Sequence, residues 1–225
     1  MNSALRKDYL AALGLDSWVL RAPLLAPPPA AAPVDAERES AFDWEPLRER
    51  IAACTRCDLS ATRTQTVFGV GSRQADWLVV GEAPGQEEDL CGEPFVGRAG
   101  QLLNSMLRAI GLGREQVFIA NVLKCRPAPS REPNSVEIGE CLPYLARQIA
   151  LLQPKLMLVV GQIAAQALLR TDVPLQRLRQ QVHAFGTFRV PLVVTYHPAD
   201  LLRFPIDKAK AWEDLKFARE VRARG

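Results

Sequence analysis

Four short runs of consecutive apolar residues divide the larger part of this chain. They span residues 77–80, 117–120, 156–160 and 192–195. Strands that are apolar on both faces are typical of parallel sheets covered by helices on both sides. Apolar residues at helical spacing lie between and after the runs, and the predicted helices are 99–110, 135–152, 162–169 and 207–222. The sequence therefore predicts a three-layer α/β/α domain with a central, mainly parallel, four-stranded sheet.

The first 45 residues differ in character from the rest of the chain. They contain one short predicted helix, 4–13, and a Pro/Ala-rich linker over 27–33. Residues 1–45 carry four Lys/Arg and seven Asp/Glu, and residues 46–225 carry 24 and 18, so the net charge of +3 divides into −3 and +6. We expect a tail over 1–45 and one domain over 46–225, whose basic character is compatible with nucleic acid.

Composition excludes several classes of protein. With 48% hydrophobic and 24% charged residues, the chain is neither disordered throughout nor a collagen-like or coiled-coil sequence. No apolar run approaches the ~20 residues that a membrane-spanning helix needs, and no secretory signal is evident. We therefore expect a cytoplasmic protein, away from membranes, whose five cysteines are buried thiols, metal ligands or a nucleophile rather than disulfides.

The cysteine spacing leaves several kinds of site open. Cys54 and Cys57 form a C-x-x-C pair, which alone is compatible with a redox dithiol, half of a zinc site or coincidence. Together with the single residues Cys125 and Cys141, the pair suits a four-iron cluster, although tetrahedral zinc fits as well. The plain alternative is that Cys125 and Cys141 are buried apolar residues. We interpret the fifth, Cys91, as a spare loop thiol.

Polar groups follow three of the predicted strands. The first strand leads into residues 81–85 (GEAPG), the second into Asn121 and the fourth into His197. Because ligands of open α/β sheets bind beyond the carboxyl ends of the strands, these groups predict a small-ligand pocket. The glycine-rich turn is neither G-x-G-x-x-G nor a Walker A loop, so a dinucleotide or P-loop site is not predicted.

Three further features of the sequence also have ordinary structural explanations. Residues 87–89 (EED) would normally be a solvated acidic run, and His183 is interpreted as structural. Phe95 is either a core residue or a stacking platform for a flat ring.

Taken in order, these pieces resemble the family 4 uracil-DNA glycosylases, the iron–sulfur members of the uracil-DNA glycosylase superfamily. The resemblance runs from about Ile51 to the C-terminus. Its motifs are Cys54-x-x-Cys57, 62–69 (TRTQTVFG), 81–85 (GEAPG), 93–100 (EPFVGRAG), Asn121 with 124–127 (KCRP), and 197–199 (HPA).

The resemblance implies a DNA repair activity and a cofactor. The activity is hydrolysis of the N-glycosidic bond of uracil in DNA, which releases uracil and leaves an abasic site for base-excision repair. The nucleotide would be flipped out of the duplex or presented in a single strand. The cofactor is a structural [4Fe–4S] cluster, and its implied ligands are Cys54, Cys57, Cys125 and Cys141.

The resemblance also implies roles for the residues at the strand exits. Phe95 would stack on the uracil ring, and the Asn121 carboxamide would read O4 and N3–H. His197 would stabilise negative charge on O2 of the departing base, together with backbone N–H groups at Ala83 and Gly85.

The water-activating group stays open, because the best-known uracil-DNA glycosylases carry Asp where this chain has Ala83. Glu82 is the nearest carboxylate and our candidate for the general base. The alternative is water held by backbone groups, with the sugar cation supplying most of the driving force. Glu88 matches a position near C5 of the base, where it would help to exclude thymine.

DNA contacts are expected from two segments. The predicted phosphate contacts are Lys124, Arg126 and Arg131. The predicted wedge, which fills the gap left by a flipped base, is Leu201, Leu202 and Arg203. Residues 128–133 contain no histidine, which argues against the covalent trapping on DNA that a related branch shows.

Two rival classes stay open: a non-catalytic iron–sulfur DNA-binding protein and a zinc-stabilised nucleotide-binding enzyme on a Rossmann-like sheet. The combination of Asn121, Phe95 and His197 argues against the first. We expect a monomer acting on uracil-containing DNA, whether single- or double-stranded, and the N-terminal tail offers a place for a repair or replication partner.

Overall fold

The computed structural model describes residues 43–127, 131–187 and 189–224. The predicted helix 4–13 and the linker 27–33 lie outside the described residues. Among the helices that are described, none is long and apolar enough to cross a membrane.

The described residues form an alternating series of strands and helices. The strands are β1 Val70–Gly71, β2 Trp77–Gly81, β3 Phe118–Asn121, β4 Leu156–Val160, β5 His183–Phe185 and β6 Val190–Thr195. The helices are α1 Trp44–Ala52, α2 Leu59–Thr62, α3 Gln86–Cys91, α4 Arg98–Ala109, α5 Ser135–Leu152, α6 Gln162–Leu169, α7 Leu175–Leu178, α8 Pro198–Arg203 and α9 Lys208–Arg224. Short 3-10 helices lie at Arg114–Gln116 and Pro205–Asp207.

The strands form one sheet in the order β1-β3-β2-β4-β6-β5. The four central strands are parallel, and they are the four predicted from apolar runs. The sheet is wider than the four strands predicted, because β1 and β5 pair antiparallel along its two edges. These edge strands have only two and three residues and are partly exposed, so no continuous apolar run marks them in the sequence.

Parallel register brings the ends of the central strands to one edge of the sheet. Gly81, the last residue of β2, lies opposite Asn121, the last residue of β3. Val160 lies opposite Thr195, two residues before His197. The predicted convergence of strand exits is therefore present.

Helix α1 belongs to the same folded unit as the sheet. The Asp43 carboxylate caps it by accepting a hydrogen bond from the Trp44 N–H at 2.7 Å. The Trp44 ring is buried with its centroid 6.1 Å from that of Phe68 and 5.1 Å from that of Phe118. Core packing therefore begins at least two residues before the predicted boundary at 46.

A buried polar network holds α9 against the end of β6. Asp214, fully buried on α9, accepts hydrogen bonds from the Arg179 guanidinium at 2.6 and 2.9 Å and from Gln180 at 2.7 Å. It also accepts a 2.9 Å hydrogen bond from the hydroxyl of Thr195. The network anchors the strand that leads to His197.

Candidate active site

The site is built around Gly81, which leaves room for two larger side chains. A Cβ atom at this position would lie 2.5 Å from Oδ1 of Asn121 and 2.6 Å from Cζ of Phe95. Both side chains therefore occupy the space beside the end of β2, and any larger residue at 81 would displace them.

Asn121 carries an unpaired polar atom inside the protein. Its side chain is 2% exposed, and within the described residues Oδ1 has no hydrogen-bond partner. A buried acceptor without a donor costs about 1–3 kcal/mol. An unpaired buried oxygen of this kind is suited to accept a hydrogen bond from a bound molecule.

Phe95 is held in a backbone conformation that residues with a side chain rarely adopt. Its φ angle is +55°, in the left-handed region. The preceding carbonyl, that of Pro94, accepts a 2.5 Å hydrogen bond from the guanidinium of Arg114. The Phe95 ring centroid lies 5.6 Å from that of His197, with 33° between the ring planes. Strain that is held in place in this way is common at ligand-binding sites.

The imidazole of His197 is prepared to donate a hydrogen bond. Nδ1 accepts from the N–H of Ala199 at 3.2 Å, so the neutral ring carries its proton on Nε2. Burial lowers the pKa of His197 below its ordinary value, against the opposing effect of Asp200. Gly161 lies behind the ring: a Cβ there would be 3.1 Å from Cβ of His197.

Glu82 follows β2 directly, and its carboxyl group is a weaker acid than that of an ordinary glutamate. Burial raises its pKa to about 7, with smaller contributions from the negative charges of Glu132 and Asp200. The next residue, Ala83, has an N–H that donates to no backbone oxygen among the described residues. The turn therefore contains, on adjacent residues, a carboxyl group with a raised pKa and a backbone N–H that makes no backbone hydrogen bond.

Glu88 braces this turn from within. Its carboxylate accepts hydrogen bonds from the N–H of Gly85 at 3.0 Å and of Val96 at 3.1 Å. The Gly85 N–H is therefore already used, and Ala83 is left as the free donor of the pair predicted from the resemblance. Asp89 is also buried, with both oxygens 3.0 Å from the N–H of Thr64. Residues 87–89 belong to helix α3, and a solvated acidic run was expected there; Glu87 is exposed, but Glu88 and Asp89 tie loops together.

Four cysteines line one cavity, with Lys124, Arg63 and Tyr144 also in its wall. The four are Cys54, Cys57, Cys125 and Cys141. The remaining cysteine, Cys91, is exposed and lies outside this cavity. The structure therefore brings together the four cysteines that the resemblance names.

Hydrogen-bond donors contact the sulfur atoms of Cys125 and Cys141. The Arg63 guanidinium lies 3.1 Å from Sγ of Cys125, and the backbone N–H of Lys124 lies 3.2 Å from Sγ of Cys141. Burial raises the pKa of the Cys57 and Cys125 thiols, and that of Cys141 to about 11. Within the described part of the chain, no three His, Cys, Asp or Glu side chains are placed to hold a single metal ion.

Two predicted DNA contacts are buried instead. The Lys124 side chain is 1% exposed, and its ammonium donates to the backbone oxygen of Asn121 and to Gln148. Burial lowers the pKa of Lys124 to about 8. Leu201 is also 1% exposed, because it is on the inner face of α8. Neither side chain reaches the surface of this structure, where the expected DNA contacts would place it.

The other predicted contacts reach the surface to different degrees. Arg126 is half-buried, and Arg131 is exposed but pairs with both oxygens of Glu137 at 2.9 and 2.5 Å. Arg203 is exposed and pairs with Asp200. Leu202 is partly exposed, and two further apolar side chains follow it at the surface. These are Phe204, 59% exposed, and Ile206, 83% exposed.

This constellation can bind a flat, polar ring between an aromatic face, a carboxamide and an imidazole. Sequence reasoning identified its main members, but it missed the bracing role of Glu88 and the contact of Gly100 with the Phe95 loop. A Cβ at Gly100 would lie 1.8 Å from the carbonyl oxygen of Phe95. Gly100 lies within the recognised motif 93–100, which was the available signal.

The sequence model of the uracil DNA glycosylase superfamily matches residues 68–216, which include the whole constellation around Gly81. The chain therefore belongs to the uracil-DNA glycosylase superfamily, and within it to the type-4 group.

Curated relatives are similar over most of their length. The type-4 uracil-DNA glycosylase of Archaeoglobus fulgidus is 41% identical over 177 residues, covering 76% of this chain and 89% of the relative. That of Pyrobaculum aerophilum is 41% identical over 180 residues, covering 77% and 92%. That of Thermotoga maritima is 39% identical over 161 residues, covering 71% and 83%.

Proposed function

We propose that this protein is a DNA repair glycosylase that hydrolyses the N-glycosidic bond of uracil in DNA, releasing uracil and leaving an abasic site. The observation that carries the proposal is the buried, unpaired Oδ1 of Asn121 beside the Phe95 ring. The type-4 uracil-DNA glycosylases that the chain resembles over most of its length support the same activity.

The carboxamide of Asn121 distinguishes uracil from cytosine by hydrogen-bond polarity. Uracil presents an N3–H donor to Oδ1 and an O4 acceptor to the amide nitrogen. Cytosine presents an acceptor and a donor at the same two places, so both partners would be left unpaired. Each unpaired group costs about 1–3 kcal/mol, which is sufficient for strong discrimination. Stacking on Phe95 adds affinity for any flat base.

Bond cleavage needs charge stabilisation on the leaving base. As the bond between C1′ and N1 breaks, its electron pair leaves with uracil and negative charge develops on O2. The Nε2–H of neutral His197 and the free N–H of Ala83 are the donors for that oxygen. Both are in place before reaction, so they need little reorganisation.

A water molecule then adds to C1′ and gives up a proton. Glu82 accepts this proton in the proposed mechanism, and its pKa of about 7 leaves a large ionised fraction at neutral pH. The departing uracil anion takes up a proton from solvent and Glu82 releases its proton to solvent, so the products are uracil and the abasic sugar and the carboxylate is regenerated.

The four cysteines are proposed to hold a [4Fe–4S] cluster with a structural role. The four residues line one cavity, which supports a shared site for them. Thiolate ligation also suits the chemistry of the donor set, which is four sulfurs with Arg63 and backbone N–H donors around them. Bound, the cluster would link α1 and the segment after it to β3 and α5.

DNA is proposed to lie over the edge where α8 ends. Leu202, Phe204 and Ile206 are exposed apolar residues that follow His197 within nine positions of the chain, and we call them the apolar projection. Arg203 and Arg126 provide positive charge for phosphates. The projection would fill the stack that a flipped nucleotide leaves.

The test is incubation of the purified protein with an oligonucleotide carrying one uracil, followed by alkali to cleave abasic sites. We expect strand cleavage at uracil and none in the same oligonucleotide with cytosine or thymine. Folded protein that binds the DNA without producing alkali-labile sites would instead support the non-catalytic alternative.

Two further measurements separate the proposed roles. Glu82→Gln should lose most of its activity, with Glu49→Gln, an exposed carboxylate on α1, as the matched control. Near-normal activity of Glu82→Gln would exclude Glu82 as an essential base. Iron and sulfide in the brown, purified protein support the cluster, and a colourless zinc protein would contradict it.

A further inference from the structure

Lys124 is a buried cation whose hydrogen-bond partners are both neutral. Its Nζ donates to the backbone oxygen of Asn121 at 2.8 Å and to Oε1 of Gln148 at 2.6 Å. In the described part of the chain, its ammonium forms no salt bridge with a carboxylate. Burying a charge without an opposite one is expensive, so a negative charge nearby would stabilise the ammonium.

The four-cysteine cavity is where that charge would be. Lys124 lines the cavity together with Cys125 and Cys141. Its backbone N–H donates to Sγ of Cys141 at 3.2 Å, and Cys125 is the next residue in the chain. Cysteines become thiolates when they ligate metal, so a loaded site carries negative charge beside the ammonium.

The same side chain also contacts the backbone of the base-reading residue. The Asn121 carbonyl that accepts from Nζ belongs to the residue whose Oδ1 is unpaired in the active site. Gln148 secures the ammonium from the other side, because its Nε2 donates to the backbone oxygen of Phe68 at 2.9 Å. Lys124 therefore stands between the cysteine cavity and the end of β3.

We propose that Lys124 is a positioning residue that couples the two sites: its ammonium is the counter-charge for the thiolate ligands, and its hydrogen bond fixes the backbone of Asn121. The inference rests on the proposed function. Loss of the metal centre would remove the negative charge that stabilises the buried ammonium. The hydrogen bond to the Asn121 carbonyl would then weaken, and so would the recognition of the base by Asn121.

The experiment compares Lys124→Met and Lys124→Gln with the wild type. Lys155→Met is the matched control, since Lys155 is an exposed lysine paired with Asp76. Iron per protein and the rate at which a chelator bleaches the visible absorbance are measured first. Both Lys124 variants should lose iron at least about tenfold faster than the wild type, a factor equivalent to about 1.4 kcal/mol. The Lys155 variant should match the wild type.

Kinetics on iron-loaded fractions then test the coupling to Asn121. The Met variant should lose more kcat/KM on uracil-containing DNA than the Gln variant, because glutamine retains a donor for the Asn121 carbonyl. Wild-type iron retention in the Gln variant would overturn the counter-charge. A Met variant that is loaded with iron and has wild-type kcat/KM would overturn the coupling.

A measurement on the wild-type chain keeps the inference testable if the variants do not fold. Reductive methylation followed by mass spectrometry should leave Lys124 unmodified in the iron-loaded protein and modify it after iron removal. Methylation of Lys124 in the loaded protein would overturn the inference. A wild-type protein with neither iron nor uracil excision would instead overturn the proposed function, so the two failures are distinguishable.

Discussion

Replacing Gly100 by alanine is the sharpest test of how the Phe95 platform is built. A Cβ at this position would lie 1.8 Å from the carbonyl oxygen of Phe95 and 2.2 Å from its carbonyl carbon. Real Cβ contacts essentially never fall under 3.0 Å, so the Phe95 backbone would have to move by more than about 1 Å. The obstructing atoms are backbone, so no rotamer change can relieve the overlap.

The displaced backbone is the one that holds the stacking ring. Phe95 has a positive φ angle, and the preceding carbonyl is bound by Arg114, so the loop has little freedom to yield. Overpacking of this kind costs about 1–3 kcal/mol of stability. A misplacement of about 1 Å in a binding site reduces catalysis by about 10²-fold, which is the loss of kcat/KM expected for Gly100→Ala.

The assay is the initial rate of uracil release at low substrate concentration, with thermal unfolding measured on the same preparations. Gly139→Ala is the matched control, because nothing lies within 4 Å of a Cβ at that position in helix α5. It should keep full activity and gain about 0.5–1 kcal/mol of stability from alanine's helix preference. A Gly100→Ala protein with wild-type kcat/KM would refute the argument that the Phe95 backbone positions the base.

Three further predictions concern the turn, the buried network and the pH profile. In Gly81→Ala, the new Cβ would lie 2.5 Å from Oδ1 of Asn121, so kcat/KM should fall by at least about 10²-fold in the uracil-release assay; unchanged kcat/KM would show that the base does not enter there. Arg179→Ala leaves buried Asp214 without its ion-pair partner and should lower the free energy of unfolding in urea by about 3–5 kcal/mol, whereas a change below about 1 kcal/mol would contradict the role of the network. Since Glu82 must be ionised to take a proton and its pKa is about 7, kcat/KM should fall about tenfold per unit below that pH, and Glu82→Gln should lack this dependence. The raised pKa has the opposite effect on stability: the free energy of unfolding should decline as pH rises from 4.5 through about 7, and less so in the Gln variant.

The parallel centre of the fold was predictable because burial on both faces leaves an uninterrupted apolar run in the sequence. The predicted helices 135–152 and 162–169 coincide with α5 and α6 for the same kind of reason, since their apolar faces repeat at the helical period. The edge strands β1 and β5 were not predictable, because two or three partly exposed residues carry no such pattern. Their existence depends on the neighbouring strand that offers them hydrogen bonds.

The sequence predicted the positions of strands and helices better than it predicted which side chains are exposed. Lys124 and Leu201 were expected at the surface as DNA contacts, yet both are buried. Whether a side chain next to a motif reaches water depends on the elements packed over it, here α5 over Lys124 through Gln148. The acidic residues Glu88 and Asp89 are a second case, since distant N–H groups, those of Val96 and Thr64, turn them inward.

What the sequence determined by itself is the layered α/β architecture and the identity of the groups at the strand exits, because alternating apolar runs and helices permit few topologies and parallel strands end at one edge. Which atoms are left unpaired, and which charges are enclosed, depends instead on how the segments pack in three dimensions. The orphaned Oδ1 of Asn121 and the buried ammonium of Lys124 are properties of three-dimensional packing. They arise from contacts between segments far apart in the chain, and local sequence carries no record of those contacts.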